Sequence, residues 1–222
     1  MIHKIKSSFR FFRILCIRAL TGGAQKMTIS DCVVLAPHPD DETLGCGSLI
    51  AATVNARKRV EIVVFSNGTA SHNGCCDITP EVLERAREAD TIKALTILGV
   101  AKEHVHFLHL QDGNLTTEIS VHKSEILELL SSLGIKTVLV PHPQEGWSDH
   151  EAVSALGDAL QSSGWTRFYY CVWFYFSMPF KKFHKVAWQH AYCIKDAASL
   201  NKKIAGTFAE EQFPWYLGGE IS

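Results

Sequence analysis

The sequence predicts an α/β fold: a doubly wound, mainly parallel sheet in three layers, α/β/α. Two observations carry this. Short apolar runs rich in Val and Ile alternate along the chain with segments of helical spacing, the pattern of a parallel sheet with crossover helices. The chain has 222 residues, 46% of them hydrophobic, enough to cover both faces of such a sheet with a core. There is no internal repeat and no low-complexity linker.

The elements follow in order. Residues 31–36 read as the first strand. Pro37 and Pro39 on either side of His38 stop it and remove two backbone donors. Thr43 to Ala56 reads as a helix, with carboxylates at its positive N-terminal end. Arg59 to Ser66 is a second apolar strand, ended by the Asn67-Gly68 turn. Ser71 to Asp77 is a polar loop. Thr79-Pro80-Glu81 opens the next helix with a cap and a first-turn proline, and Gly99 ends it. His104 to Leu110 is a strand, and Gln111 to Leu115 a loop. A helix spans about Glu118 to Leu133, and Thr137 to Val140 is a buried strand. Pro141 to Asp149 is a loop, and His150 opens the next helix. The aromatic run Phe168 to Phe176 reads as a core strand whose alternate residues can form a wall beside the site. Ala197 to Thr207 reads as a last helix. In a doubly wound, Rossmann-like sheet the right-handed crossover rule brings the loops after the first and the Thr137 strands to one crevice.

Composition narrows the partners. The net charge of −1 implies no nucleic acid or other polyanion. Seven Cys lack metal-knuckle spacing, and an odd count without an export signal fits reduced thiols in a cytosol. Residues 1–27 form a basic leader, with Lys4, Lys6, Arg10, Arg13, Arg18 and Lys26 and no acid before Asp31. It reads either as disordered or as an amphipathic helix touching an anionic membrane face through residues 2–20. Arg13 and Arg18 exclude a spanning helix. A true start at Met27 is a third reading. Residues 28–222 are expected to form one domain.

The chemistry concentrates in Pro37-His38-Pro39-Asp40-Asp41-Glu42. One imidazole and three carboxylates crowd together, which like-charge repulsion disfavours unless a cation sits among them. The donor types suit zinc.

These residues also resemble a family. Ala36-Pro37-His38-Pro39-Asp40-Asp41-Glu42 is similar to the signature of the zinc-dependent N-deacetylases of the PIG-L/LmbE family, the N-acetylglucosaminyl deacetylases. The stretch from Thr79-Pro80 through Arg87 to Leu98-Gly99-Val100 is similar to the family's second helix, with Asp90 where the family has Glu. Leu110-Gln111-Asp112-Gly113 resembles its Pro-Asp-Gly loop, with Gln111 for proline. Asn201 to Ala205 resembles its final lysine segment. Residues 31 to about 212 are covered.

The resemblance implies one Zn2+ per chain, held by His38, Asp41 and His150. It implies Asp40 as general base in metal-activated water attack on an amide. Asp149 then stands behind the site as an orienting acid, and Glu42 steadies the loop or the helix start, with direct ligation of the metal as the alternative. Arg87 and Asp112 are candidates to position substrate, with a structural brace as the alternative for Arg87. The family's His-x-Asp-His pattern is incomplete, since Trp147 stands where its first His belongs. Indole donates but does not shuttle protons, so His142 is the candidate replacement acid, with His72 and His109 behind it.

The expected function is removal of the N-acetyl group from an N-acetylglucosamine-type amino sugar, carried by a nucleotide, a lipid-linked glycan or a thiol glycoside. The expected place is the cytoplasm, with the cytoplasmic face of a membrane as a further option. The alternatives are a degenerate sugar- or partner-binding member, or a metal hydrolase of another amide or ester.

Overall fold

The computed structural model describes residues 30–72 and 78–173, with Ala19, residues 25–27, Val186 and residues 192–193 as short pieces. Most of the leader, the heart of the 71–77 loop, the aromatic run beyond Trp173 and the Ala197–Thr207 helix lie outside the described residues.

The strands in chain order are β1 (Gln25–Lys26), β2 (Cys32–Ala36), β3 (Val60–Ser66), β4 (Val105–Leu110), β5 (Thr137–Pro141), β6 (Thr166–Tyr170) and β7 (Tyr192–Cys193). The helices are α1 (Asp41–Asn55), α2 (Pro80–Ile97), α3 (Leu115–Val121), α4 (Lys123–Ser132) and α5 (Ser148–Ser162). Five strands form one parallel sheet in the order β4-β3-β2-β5-β6. β1 and β7 pair with each other apart from it.

Strand alternation sorts the core into two layers. Val34, Ala36, Ile62 and Val64 pack with Ile50 of α1 and Ala94 and Leu95 of α2. Val33, Leu35, Val63 and Phe65 pack on the other face with Leu115, Ile126, Leu130, Val153 and Leu156 of α3, α4 and α5. Every residue of β2 and β3 is buried, as a covered parallel sheet requires.

The strand order also fixes where a site belongs. From β2 the chain steps outward to β3 and β4, then returns to β5 on the other side of β2. The connections after β2 and β5 therefore leave towards opposite faces and open a crevice at the carboxyl ends of those strands.

Three helix assignments differ from the sequence expectation. α5 begins at Ser148, not His150, with Trp147 at its N-cap position. α1 begins at Asp41, not Thr43, because the Asp40 carbonyl already accepts from the amides of Thr43 and Leu44 at 3.0 and 2.9 Å. Asp41 and Glu42 are thus wound into its first turn. The expected Glu118–Leu133 helix is two helices, α3 and α4. The break is at His122 (φ −94°, ψ 17°), whose Nδ1 lies 2.9 Å from Glu125 in the first turn of α4. No helix among the described residues is long and apolar enough to cross a membrane.

Candidate functional site

The loop after β2 is built around an unusual backbone. Asp40 occupies φ 133°, ψ −27° at the N-cap of α1, a region that residues with side chains rarely adopt. Glu42, fully buried, holds that geometry: its Oε2 accepts from the Asp40 amide at 3.1 Å and its Oε1 from the Thr43 hydroxyl at 2.6 Å. Burial pushes the Glu42 carboxyl up to about 7.

His38, Asp41 and His150 come together. Asp41 Oδ2 lies 3.0 Å from His38 Nδ1 and 3.2 Å from His150 Nε2. One ligand atom from each lies within 4.8 Å of the other two. Asp41 and His150 are buried, and the His38 side chain is one-fifth exposed. His150 reaches the crevice as the third residue of α5 and His38 as the second residue past β2, so the two flank the boundary between β2 and β5.

Asp112 and Asp149 stand on the far side of the His38 ring. Nε2 lies 3.1 Å from Asp112 Oδ1 and 3.3 Å from Asp149 Oδ2. Asp149 is fixed by the amides of Gly113 and Leu115 at 2.8 and 3.1 Å, and Asp112 by the amide of Ala70 at 2.8 Å. Burial opposes a charge on His38, yet Asp112, Asp149 and Asp41 outweigh it and hold its pKa well above the ordinary value. Burial likewise opposes ionisation of Asp41, and His150 and His38 outweigh it, so that the carboxyl stays well below the usual range.

Asp40 has its side chain one-fifth exposed, with Oδ2 3.3 Å from Arg87 Nη2. Arg87 is itself buried in α2. Its guanidinium donates to the carbonyls of Gly68 and Pro39 at 2.8 and 2.9 Å and to the Ser71 hydroxyl at 3.0 Å. It thus ties the turn after β3 to the loop after β2. Gly68, at φ 68°, allows this approach, since a Cβ there would meet the guanidinium at 2.9 Å.

His142 is placed differently. Its ring meets Tyr169 edge-on at 5.3 Å, and its Nδ1 accepts from the Gln144 amide at 3.2 Å. Burial and the nearby Arg167 guanidinium push it down to about 4. Of the other candidate imidazoles, His109 faces Glu84 and Glu88 of α2 at 2.9 and 3.2 Å, and the His72 side chain lies outside the described residues. Trp147 caps α5 and is 55% exposed, its ring 6.5 Å from that of Trp173.

Glu145 is a site residue that sequence reasoning missed. It is fully buried, accepts from the amides of Val172 and Trp173 at 2.8 and 2.5 Å, and lies 3.9 Å from His150 Nδ1. Its only local signal is an acid in a loop. Its environment comes from chain that returns past β6.

The donor set fits a metal. Two imidazole nitrogens and one carboxylate oxygen converge at a buried point, a composition that suits zinc. The remaining nitrogen of His38 is held by carboxylates, as is usual for a metal-bound imidazole.

Comparison with known proteins follows the same lines. The family model described as PIG-L: GlcNAc-PI de-N-acetylase matches residues 33–160. A Schizosaccharomyces pombe protein described as "Probable N-acetylglucosaminyl-phosphatidylinositol de-N-acetylase" is 28% identical over 138 residues, 59% of this chain and 50% of that protein. The chain therefore spans about half the length of this curated relative. Among solved structures, the N,N'-diacetylchitobiose deacetylase of Pyrococcus horikoshii superposes with a TM-score of 0.61 at 20% identity, over 84% of this chain and 72% of that one. A conserved protein of Thermus thermophilus superposes with a TM-score of 0.51 at 25% identity, over 64% and 66%. The match to the family runs from the second residue of β2 to the last turn of α5 and so encloses His38, Asp40, Asp41, Arg87, Asp112 and His150: the chain belongs to the PIG-L family.

Proposed function

We propose that this chain is a zinc-dependent hydrolase that removes the N-acetyl group from an N-acetylated amino sugar. The observation that carries the reading is the convergence of His38, Asp41 and His150 at the mouth between β2 and β5, with Asp40 beside them. The names of the family and of its relatives supply the substrate class.

His38 Nδ1, Asp41 and His150 Nε2 would hold the zinc, one per chain. A zinc ion bound there supplies Lewis acidity, polarising the amide carbonyl and making water a better nucleophile. Asp40 takes the proton of the attacking water and passes it to the departing amine. Arg87 keeps Asp40 aimed and joins it to the turn at Gly68. Asp112 positions through His38 and Ala70. Both would shape the substrate cleft through these partners. His142 is neutral at pH 7, with the proton at Nε2 because Nδ1 accepts. Its proposed role is therefore to donate a hydrogen bond to the oxyanion, and Asp40 alone carries the proton to the amine.

A second reading is a family member that binds a sugar without turnover. The exposed Trp147, standing where the resemblance expects His, favours it. Residues 28–222 as one domain, a cytoplasmic setting and membrane contact through residues 2–20 belong to the same proposal. The unpaired thiols of Cys32, Cys46 and Cys171 support a reducing compartment.

The deciding experiment is metal analysis of the purified chain together with acetate release from a panel of N-acetyl sugars, free, nucleotide-borne and lipid-linked. Stoichiometric zinc with acetate release supports the hydrolase. Sugar binding without acetate release supports the second reading.

A further inference from the structure

His38 and His150 both meet Asp41 at Oδ2, and each has a second ring nitrogen to place. For His38 that nitrogen is Nε2, backed by Asp112 and Asp149 at 3.1 and 3.3 Å. For His150 it is Nδ1, buried and without a hydrogen-bond partner. A buried ring nitrogen in that state typically costs about 1–3 kcal/mol. The acid facing it is Glu145, with Oε2 at 3.9 Å.

Glu145 is placed for more than closing a loop. Its oxygens accept from two successive amides, Val172 at 2.8 Å and Trp173 at 2.5 Å. Its position, five residues before His150 and across the end of α5, puts it behind the ring as seen from Asp41.

We propose that Glu145 is the positioning residue for His150. Its carboxylate keeps the ring proton on Nδ1 and leaves the Nε2 lone pair for the metal that Asp41 also holds. The negative charge also makes the imidazole a stronger ligand, the usual effect of a carboxylate behind a metal-bound histidine. The assignment rests on the metal reading above and adds a residue to it. It gives the two imidazoles matching support, from the loop after β4 and the start of α5 for His38 and from the loop after β5 for His150. Through its bonds to Val172 and Trp173 it also ties the back of the His150 ring to the chain that follows β6.

The test is zinc affinity of the full chain, measured by competition with a chromophoric chelator, for wild type, Glu145→Gln, His150→Ala and the double variant. Glu145→Gln is expected to weaken zinc binding by about 10–100-fold, and to weaken it by less than about twofold further once His150 is gone. A purely structural role, holding the Val172 and Trp173 amides, predicts instead the same loss in both backgrounds and would overturn the proposal. So would an affinity for Glu145→Gln equal to wild type.

A second measurement needs no variant. In zinc-loaded wild type carrying 15N-histidine, NMR should show His150 protonated at Nδ1, and a proton on Nε2 instead overturns the assignment even if Glu145→Gln does not fold. If wild type takes up no zinc, the metal reading fails and the assignment falls with it. That failure differs from zinc uptake that is indifferent to Glu145.

Discussion

Two loops at the same edge of the sheet make this site, and they are built in different ways. The loop after β2 packs its chemistry into the five residues His38 to Glu42, most of them in contact with each other: His38 with Asp41, and Asp40 with Glu42. The segment from the end of β5 into the first turn of α5 spreads its contribution over the ten residues from Pro141 to His150 and turns its groups in different directions. His150 faces Asp41, Glu145 faces His150 from behind, His142 faces Tyr169, and Trp147 faces solvent and Trp173. The first loop can be read as one chemical unit. The second has to be read residue by residue, because each group takes its role from a different neighbouring element.

The largest effect should come from the point where the loops meet. Asp41→Asn leaves both imidazoles without the carboxylate between them. Zinc content should fall to background, and acetate release with it, by metal analysis and end-point assay. Retained zinc would show that the loops do not share the ion. Next is Asp40→Asn, within the compact loop. It should keep zinc and lose about 10²–10⁴-fold in turnover, the range for a lost general base. Loss of zinc in that variant would bring Asp40 into the ligand set.

In the dispersed loop, Trp147→His should raise turnover by about 10²–10³-fold if Trp147 fills the place of a missing oxyanion donor. If instead His142 already donates there, that change does little and His142→Ala carries the loss. Steady-state kinetics on the two variants decide between them.

A smaller effect belongs to His142 and stability. Its folded pKa of about 4 lies below the ordinary 6.5. Between those values the unfolded chain binds the extra proton, so stability rises with pH across the window and falls as acid is added through it. The ring is partly open to solvent, and screening by water keeps the effect small. Denaturation midpoints should therefore drop somewhat more steeply from pH 6.5 to 4 in wild type than in His142→Gln.

The same contrast explains what could be read in the sequence. The parallel sheet was legible because β2, β3 and β5 are apolar at most of their positions. That His38, Asp41 and His150 come together was legible because donor types that suit a cation stand side by side in the first loop and again at Asp149-His150. The start of α1 was not, since it depends on Asp40 adopting a positive φ that Glu42 and the Thr43 and Leu44 amides sustain. Arg87 read equally as clamp or brace, and its partners Pro39, Gly68 and Ser71 are three separate segments that only the fold brings together. Glu145 was illegible for a similar reason: its partners lie 27 and 28 residues further on, past β6.

The backbone at Asp40 also sets stability and chemistry against each other at one position. A φ of 133° is territory where glycine is at ease and aspartate is not. Asp40→Gly and Asp40→Ala both give up the contact with Arg87, and the glycine variant should be the more stable of the two, by about 1–3 kcal/mol if the conformation is unchanged, while neither turns over substrate. Once the carboxylate is lost, selection for robustness favours glycine at this place. Among replacements of Asp40, a screen for thermal tolerance alone should recover glycine ahead of alanine, and one for acetate release should exclude both.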